Sequence, residues 1–96
     1  MKFALCNEVL QHLSLEDGFA KIAEIGYEGI EIAPFTLKEK PLDVNEEDAE
    51  RCIKAAESAG IEIVGLHWLM AKTEGLHLTH SDEGMRTAAC EYLKKL

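Results

Sequence analysis

Short apolar runs alternate along the chain with longer stretches in which apolar residues recur every three or four positions. The longest run is Ile61-Glu62-Ile63-Val64-Gly65-Leu66-His67-Trp68, which begins directly after a glycine and ends in a histidine and a tryptophan. A β-branched, nearly continuous apolar run bounded by turn residues is the pattern of a strand buried in a parallel sheet. Phe3-Ala4-Leu5-Cys6 and Gly29-Ile30-Glu31-Ile32-Ala33 are shorter versions, the second closed by Pro34, which stops a ladder. The pattern predicts strands near residues 3–7, 29–33 and 61–67.

The stretches between the runs read as helices. Ser14 is an N-cap with Asp17 in capping-box position, Leu15, Phe19, Ile22 and Ala23 share one face, and Gly26 is the stop. Asn45 caps a second helix whose first turn holds Glu46, Glu47 and Asp48, where carboxylates suit the helix dipole. Its apolar face is Ala49, Cys52, Ile53 and Ala56, and Gly60 ends it. Ser81 caps a third, with Met85, Ala88, Ala89, Tyr92, Leu93 and Leu96 on one face. Helices are expected near 15–25, 46–59 and 82–95, all on one side of the sheet, with loops over 35–44 and 69–80. Gly26 and Gly60 stand at matching helix-to-strand junctions 34 positions apart, one unit of a repeating β-α-β-α-β-α order.

Composition narrows the classes of partner. Ninety-six residues make a single small domain, 1–96, with 47% hydrophobic residues. The formal net charge of −8 argues against DNA, RNA or an anionic membrane surface, which need a basic face; a small anionic ligand held by local groups remains open. Cys6, Cys52 and Cys90 lie far apart without metal spacing, as expected of reduced thiols in a cytoplasmic protein. The apolar start is too short for a signal peptide, and no segment has the length of a membrane span.

Three βα units fill about three eighths of a (β/α)8 barrel of roughly 250 residues. The rival, a doubly wound sheet, lacks its phosphate-cradling glycines, because Asn7-Glu8-Val9-Leu10 follows the first strand. With "IGYEGIEIAPF", "AAESAGIEIVGLHWLM" and "GLHLTHSDEGMRTAACEYLKKL", the chain resembles the xylose isomerase-like TIM-barrel superfamily, and within it the sugar phosphate isomerase/epimerase group. The resemblance covers nearly the whole chain. It implies an N-terminal partial barrel that continues beyond residue 96 in a parent protein. The parent would isomerise or epimerise a small sugar or sugar phosphate with a divalent metal and paired acid/base glutamates. Those groups come from later strands, so no catalytic or metal-ligating residue is assigned here, and the isolated chain is expected to be inactive.

The residues of this chain would line the pocket. Glu31 alternates with Ile30 and Ile32, so if those cover helices, Glu31 faces the interior, where an unpaired carboxylate is costly; it also matches the glutamate of the family's second-strand pattern. Ile63, Gly65 and His67 share a strand face by parity, and if that face is inward His67 sits at the mouth of the barrel. Its imidazole is a candidate for a sugar hydroxyl, or for a metal as in the endonuclease branch, and a satisfied structural histidine is the plainer reading. Trp68 and Phe35 are candidate apolar walls or ordinary rim packing. Asn7, at the end of the first strand, is a candidate hydrogen-bonding residue or a cap of the following loop. His77 and His80, three apart in a loop, carry a weak metal signal. Two rival readings stand beside the isomerase: a non-catalytic partial-barrel subunit that pairs with itself or another chain, and an apurinic endonuclease-like protein, which the net charge disfavours.

Overall fold

The computed structural model describes residues 1–96. The apolar runs form β1 (Ala4–Cys6), β2 (Gly29–Ile32) and β3 (Glu62–Leu66), joined by α1 (Leu15–Ile25) and α2 (Glu46–Ala59) and followed by α3 (Glu83–Lys95). The strands make one parallel sheet in the order β1-β2-β3. The chain is thus a mixed α/β protein with three strands and three helices.

Local chemistry explains the helix ends. The Ser14 side chain accepts from the Asp17 amide, and α1 stops at Gly26, whose φ of 108° lies in the left-handed region that glycine adopts without strain. At α2 the box is complete: Asn45 Oδ1 accepts from the Asp48 amide, while Asp48 Oδ2 accepts from the Asn45 amide. The expected cap of α3 shifts by one residue. Asp82, not Ser81, accepts from the Met85 amide, because His80 Nδ1 accepts the Asp82 N–H and sets Asp82 at the helix entry. Pro34 and Pro41 each open a single 3-10 turn in the loop after β2, and another covers Asn7–Leu10.

The core lies on one side of the sheet. Phe19 and Ile22 of α1 and Cys52, Ala55 and Ala56 of α2 close over Ile30 and Ile32 of β2. Both crossovers therefore lie on the same face, as two right-handed βαβ units in sequential order require. The buried stripe of α2 is rotated from the one expected: Ala55 takes part, whereas Ile53 is 51% exposed and Ala49 is also exposed. The reason lies in α3, which does not join this layer. Ala89 and Tyr92 pack with Leu76 and Met70 of the preceding loop, and the Tyr92 hydroxyl donates to the Leu69 carbonyl at 2.8 Å. Only its end, Leu96, reaches the apolar hollow of about 160 Å³ bounded by Ile32, Ile53, Ile63 and Leu66. A radius of gyration of 14.4 Å, against about 12.5 Å for a compact domain of this length, reflects that detached helix.

Across the outer side, Arg51 of α2 grips Glu16 of α1 through two bonds, Nε–Oε1 at 2.6 Å and Nη2–Oε2 at 2.8 Å. The Arg51 hydrogen bonds pull the Glu16 carboxyl down from 4.5 to about 2. A depressed carboxyl stabilises the fold above its unfolded value and loses that contribution as pH falls through the folded one. The pair should thus contribute fully above pH 4.5 and fade towards pH 2. Both side chains are half exposed, so solvent screening limits the effect to about 1 kcal/mol or less. A double-mutant cycle with Glu16→Gln and Arg51→Gln, measured at neutral pH and near pH 2, should show the coupling vanish in acid.

The register departs from simple alternation in β3. Gly29 pairs with Glu62 and Ile30 with Ile63, but Glu31 pairs with Gly65 and Ile32 with Leu66, so Val64 is an extra residue that bulges from the ladder. The expectation that Ile63, Gly65 and His67 share a face is corrected. Ile63 lies on the helix side beside Ile30, and Gly65 lies opposite Glu31 on the uncovered side. Val64 also turns to the uncovered side, where it crosses β2 at Gly29. A Cβ there would stand 2.7 Å from Val64 Cγ1 and 3.2 Å from the Ala4 Cβ, so only glycine lets the three strands meet.

Candidate functional site

The uncovered face carries polar chemistry at the carboxyl ends of its strands, where ligands of parallel α/β sheets bind. Glu31 stands on the central strand, flanked in register by Cys6 of β1 and Gly65 of β3. His67 follows β3, its backbone N–H donating to the Ile32 carbonyl at 2.9 Å. The bulge has restored its parity with Glu31, and His67 Nδ1 lies 3.7 Å from Glu31 Oε2. Their side chains are 47% and 41% exposed, so the pair sits on an open surface and not in a closed pocket.

Trp68 is next. Its ring meets the His67 imidazole edge-on, centroids 5.7 Å apart and planes 80° apart. Its φ of 55° is unusual for a bulky residue, and Lys72 and Glu74 in the same loop share the left-handed conformation at 59° and 53°. Each such residue costs about 1–2 kcal/mol. The loop is held by Thr73, whose buried hydroxyl contacts the Met70 and Leu76 carbonyls at 2.7 and 3.3 Å. Lys72 reaches back over the Phe35 ring, its ammonium 4.7 Å from the ring centre. Nothing in the sequence marks Lys72, because its place depends on a loop backbone that no turn signal announces.

The sequence candidates therefore divide. Glu31, His67 and Trp68 come together, and Phe35 forms a separate contact with Lys72. Asn7 is buried, and its amide is committed to the fold: Oδ1 accepts from the Ala33 N–H at 2.9 Å, and Nδ2 donates to Thr36 Oγ1 at 2.7 Å. Both contacts tie Asn7 to the turn after β2, and neither caps the loop that follows Asn7 itself. Cys6 has its thiol pushed up, first by burial and then by the nearby carboxylates of Glu8 and Glu31, against a backbone hydrogen bond from Glu8 that lowers it. It is thus held protonated beside the pair. The three cysteines are unpaired.

His77 and His80 have ring centres 4.7 Å apart, but His80 Nδ1 is taken by the Asp82 amide. No group of three or more His, Cys, Asp or Glu side chains is arranged to hold a metal ion. Glu31 and His67 supply two donors, short of the set that a divalent metal requires. By themselves the two can hydrogen-bond and exchange a proton. No helix is long and apolar enough to cross a membrane. Comparison of the chain with protein-family models, with curated proteins and with solved structures finds no match.

Proposed function

We propose that the chain forms the first three βα units of a (β/α)8 barrel of the xylose isomerase-like kind. In this reading it is the N-terminal part of a cytoplasmic sugar phosphate isomerase or epimerase. The parent reaction is proton transfer next to the carbonyl of a small sugar, with a divalent metal and the acid/base pair supplied by later strands. The observation that carries the reading is the Glu31–His67 pair at the carboxyl ends of parallel strands, on the face opposite the helices. Trp68 adds an aromatic surface next to it, suited to the apolar faces of a sugar ring.

Trp68 is the single tryptophan, so its fluorescence reports on this face. Titration with a ketose phosphate such as fructose 6-phosphate is expected to change that emission, and Glu31→Gln or His67→Ala should weaken binding by roughly tenfold or more, the value of a lost hydrogen bond to a charged group. In a completed parent enzyme the same two changes should lower kcat/KM to a similar extent. Emission indifferent to ketoses and to both substitutions would count against the proposal.

The outer edges of β1 and β3 favour a second reading, in which the chain is a non-catalytic subunit. Neither edge is paired, and Val64, Leu66 and Trp68 are 54%, 43% and 55% exposed along and just beyond β3. Such edges recruit further strands. On this reading, sedimentation of the pure 10.7 kDa chain should reveal concentration-dependent association. A strictly monomeric species would remove it.

A further inference from the structure

We propose that Glu31 is a positioning residue for His67: its carboxylate holds the imidazole proton on Nδ1 and so presents an unprotonated Nε2 to a hydroxyl of the bound sugar. The sugar in this inference rests on the functional reading above; the pairing itself does not.

The geometry begins with the backbone. The bulge at Val64 brings His67 to the same side as Glu31, and the His67 N–H to Ile32 carbonyl bond fixes the Cα from which the imidazole projects. Gly65 stands directly opposite Glu31 and adds no side chain to the gap. At 3.7 Å, Glu31 Oε2 and His67 Nδ1 are within about 1 Å of a charge-assisted hydrogen bond. Nδ1, and not Nε2, is the nitrogen turned to the carboxylate. The Trp68 ring stands edge-on to the imidazole and limits its swing.

Cys6, opposite Glu31 on β1, is kept in its thiol form, and Lys72 is engaged over Phe35. Which imidazole nitrogen carries the proton is set by the hydrogen bond that the other one makes. An exposed imidazole ordinarily carries it on Nε2. A carboxylate facing Nδ1 reverses that preference and leaves the Nε2 lone pair free to accept a hydroxyl hydrogen or to take a proton as a general base.

The test is ring 15N NMR of the full chain labelled at histidine, at a pH well above the range in which imidazole titrates. His67 in the unsubstituted chain should show the Nδ1–H form. Glu31→Met, similar in length but without an acceptor, should move the tautomer ratio by roughly tenfold towards Nε2–H. Glu31→Asp, which keeps the charge but shortens the reach, should give an intermediate ratio and serves if the methionine variant does not fold. Nε2–H already dominant in the unsubstituted chain, or a ratio unmoved by either substitution, overturns the inference. Fructose 6-phosphate is then added to the unsubstituted chain, where a shift of the Nε2 resonance supports the sugar contact. A held Nδ1–H form with no response of Nε2 to the ketose overturns the sugar as its partner while leaving the pairing intact, so the two failures are told apart.

Discussion

Phe19→Ala should bring the chain to the edge of unfolding at room temperature. Phe19 is 1% exposed and sits where α1, α2 and β2 meet. Truncating a buried phenylalanine costs about 3–5 kcal/mol, from lost burial and from the cavity that rigid neighbours cannot close. A small domain has about 5–15 kcal/mol to lose, and this chain buries only 18 of its 96 residues, which sets it towards the low end. Urea unfolding followed by circular dichroism should show the midpoint collapse. Leu78→Ala, at a side chain 50% exposed, should stay within about 0.5 kcal/mol of the unsubstituted chain and serves as the control. A Phe19→Ala chain that unfolds cooperatively at nearly the original midpoint would mean that the α1 layer is not what holds the sheet.

Asn7→Ala should destabilise by a different route. It removes no large apolar surface, but it strands the Ala33 N–H, which donates to Asn7 Oδ1 inside the fold at 2.9 Å. An unsatisfied buried donor costs about 1–3 kcal/mol. Ala33 closes β2 immediately before the Pro34 turn, and the Thr36 hydroxyl bonds back to the Ala33 carbonyl at 2.7 Å. Loss of Asn7 should therefore loosen this corner first. The expected signature is faster hydrogen exchange at the Ala33 amide together with a lower urea midpoint. Unchanged exchange there would return Asn7 to the list of residues free to meet a ligand.

The legible parts of the fold are those fixed by near neighbours in the chain. Gly26 and Gly60 ended their helices where expected, and the Ser14 and Asn45 caps formed, because a cap is a contact across three residues. The three parallel strands followed from apolar runs of the right length between those helices. What could not be read depended on distant partners. The rotated face of α2 follows from where α3 failed to settle, and α3 was drawn to its own loop by Leu76 and Tyr92. The role of Asn7 depends on Ala33 and Thr36, more than twenty positions away. At the candidate site, parity put Glu31 and His67 on the interior side without pairing them, and it held at His67 but not at Ile63, because the bulge lies between them.

That extra residue is absorbed by the bulge, so the site tolerates a change of chain length at Val64 but not beyond it. Val64 can be exchanged for another small apolar residue and the count of positions between Ile63 and His67 stays the same. Delete it, and the ladder closes into regular pairing with Gly65 still opposite Glu31, Leu66 still beside Ile32, and the imidazole still on the uncovered side. A variant that lacks Leu66 instead would retain every polar group of the candidate site and turn the imidazole to the helix side. In comparing this protein with others, the step from the residue opposite the second-strand glutamate, here Gly65, to His67 is therefore the more telling character.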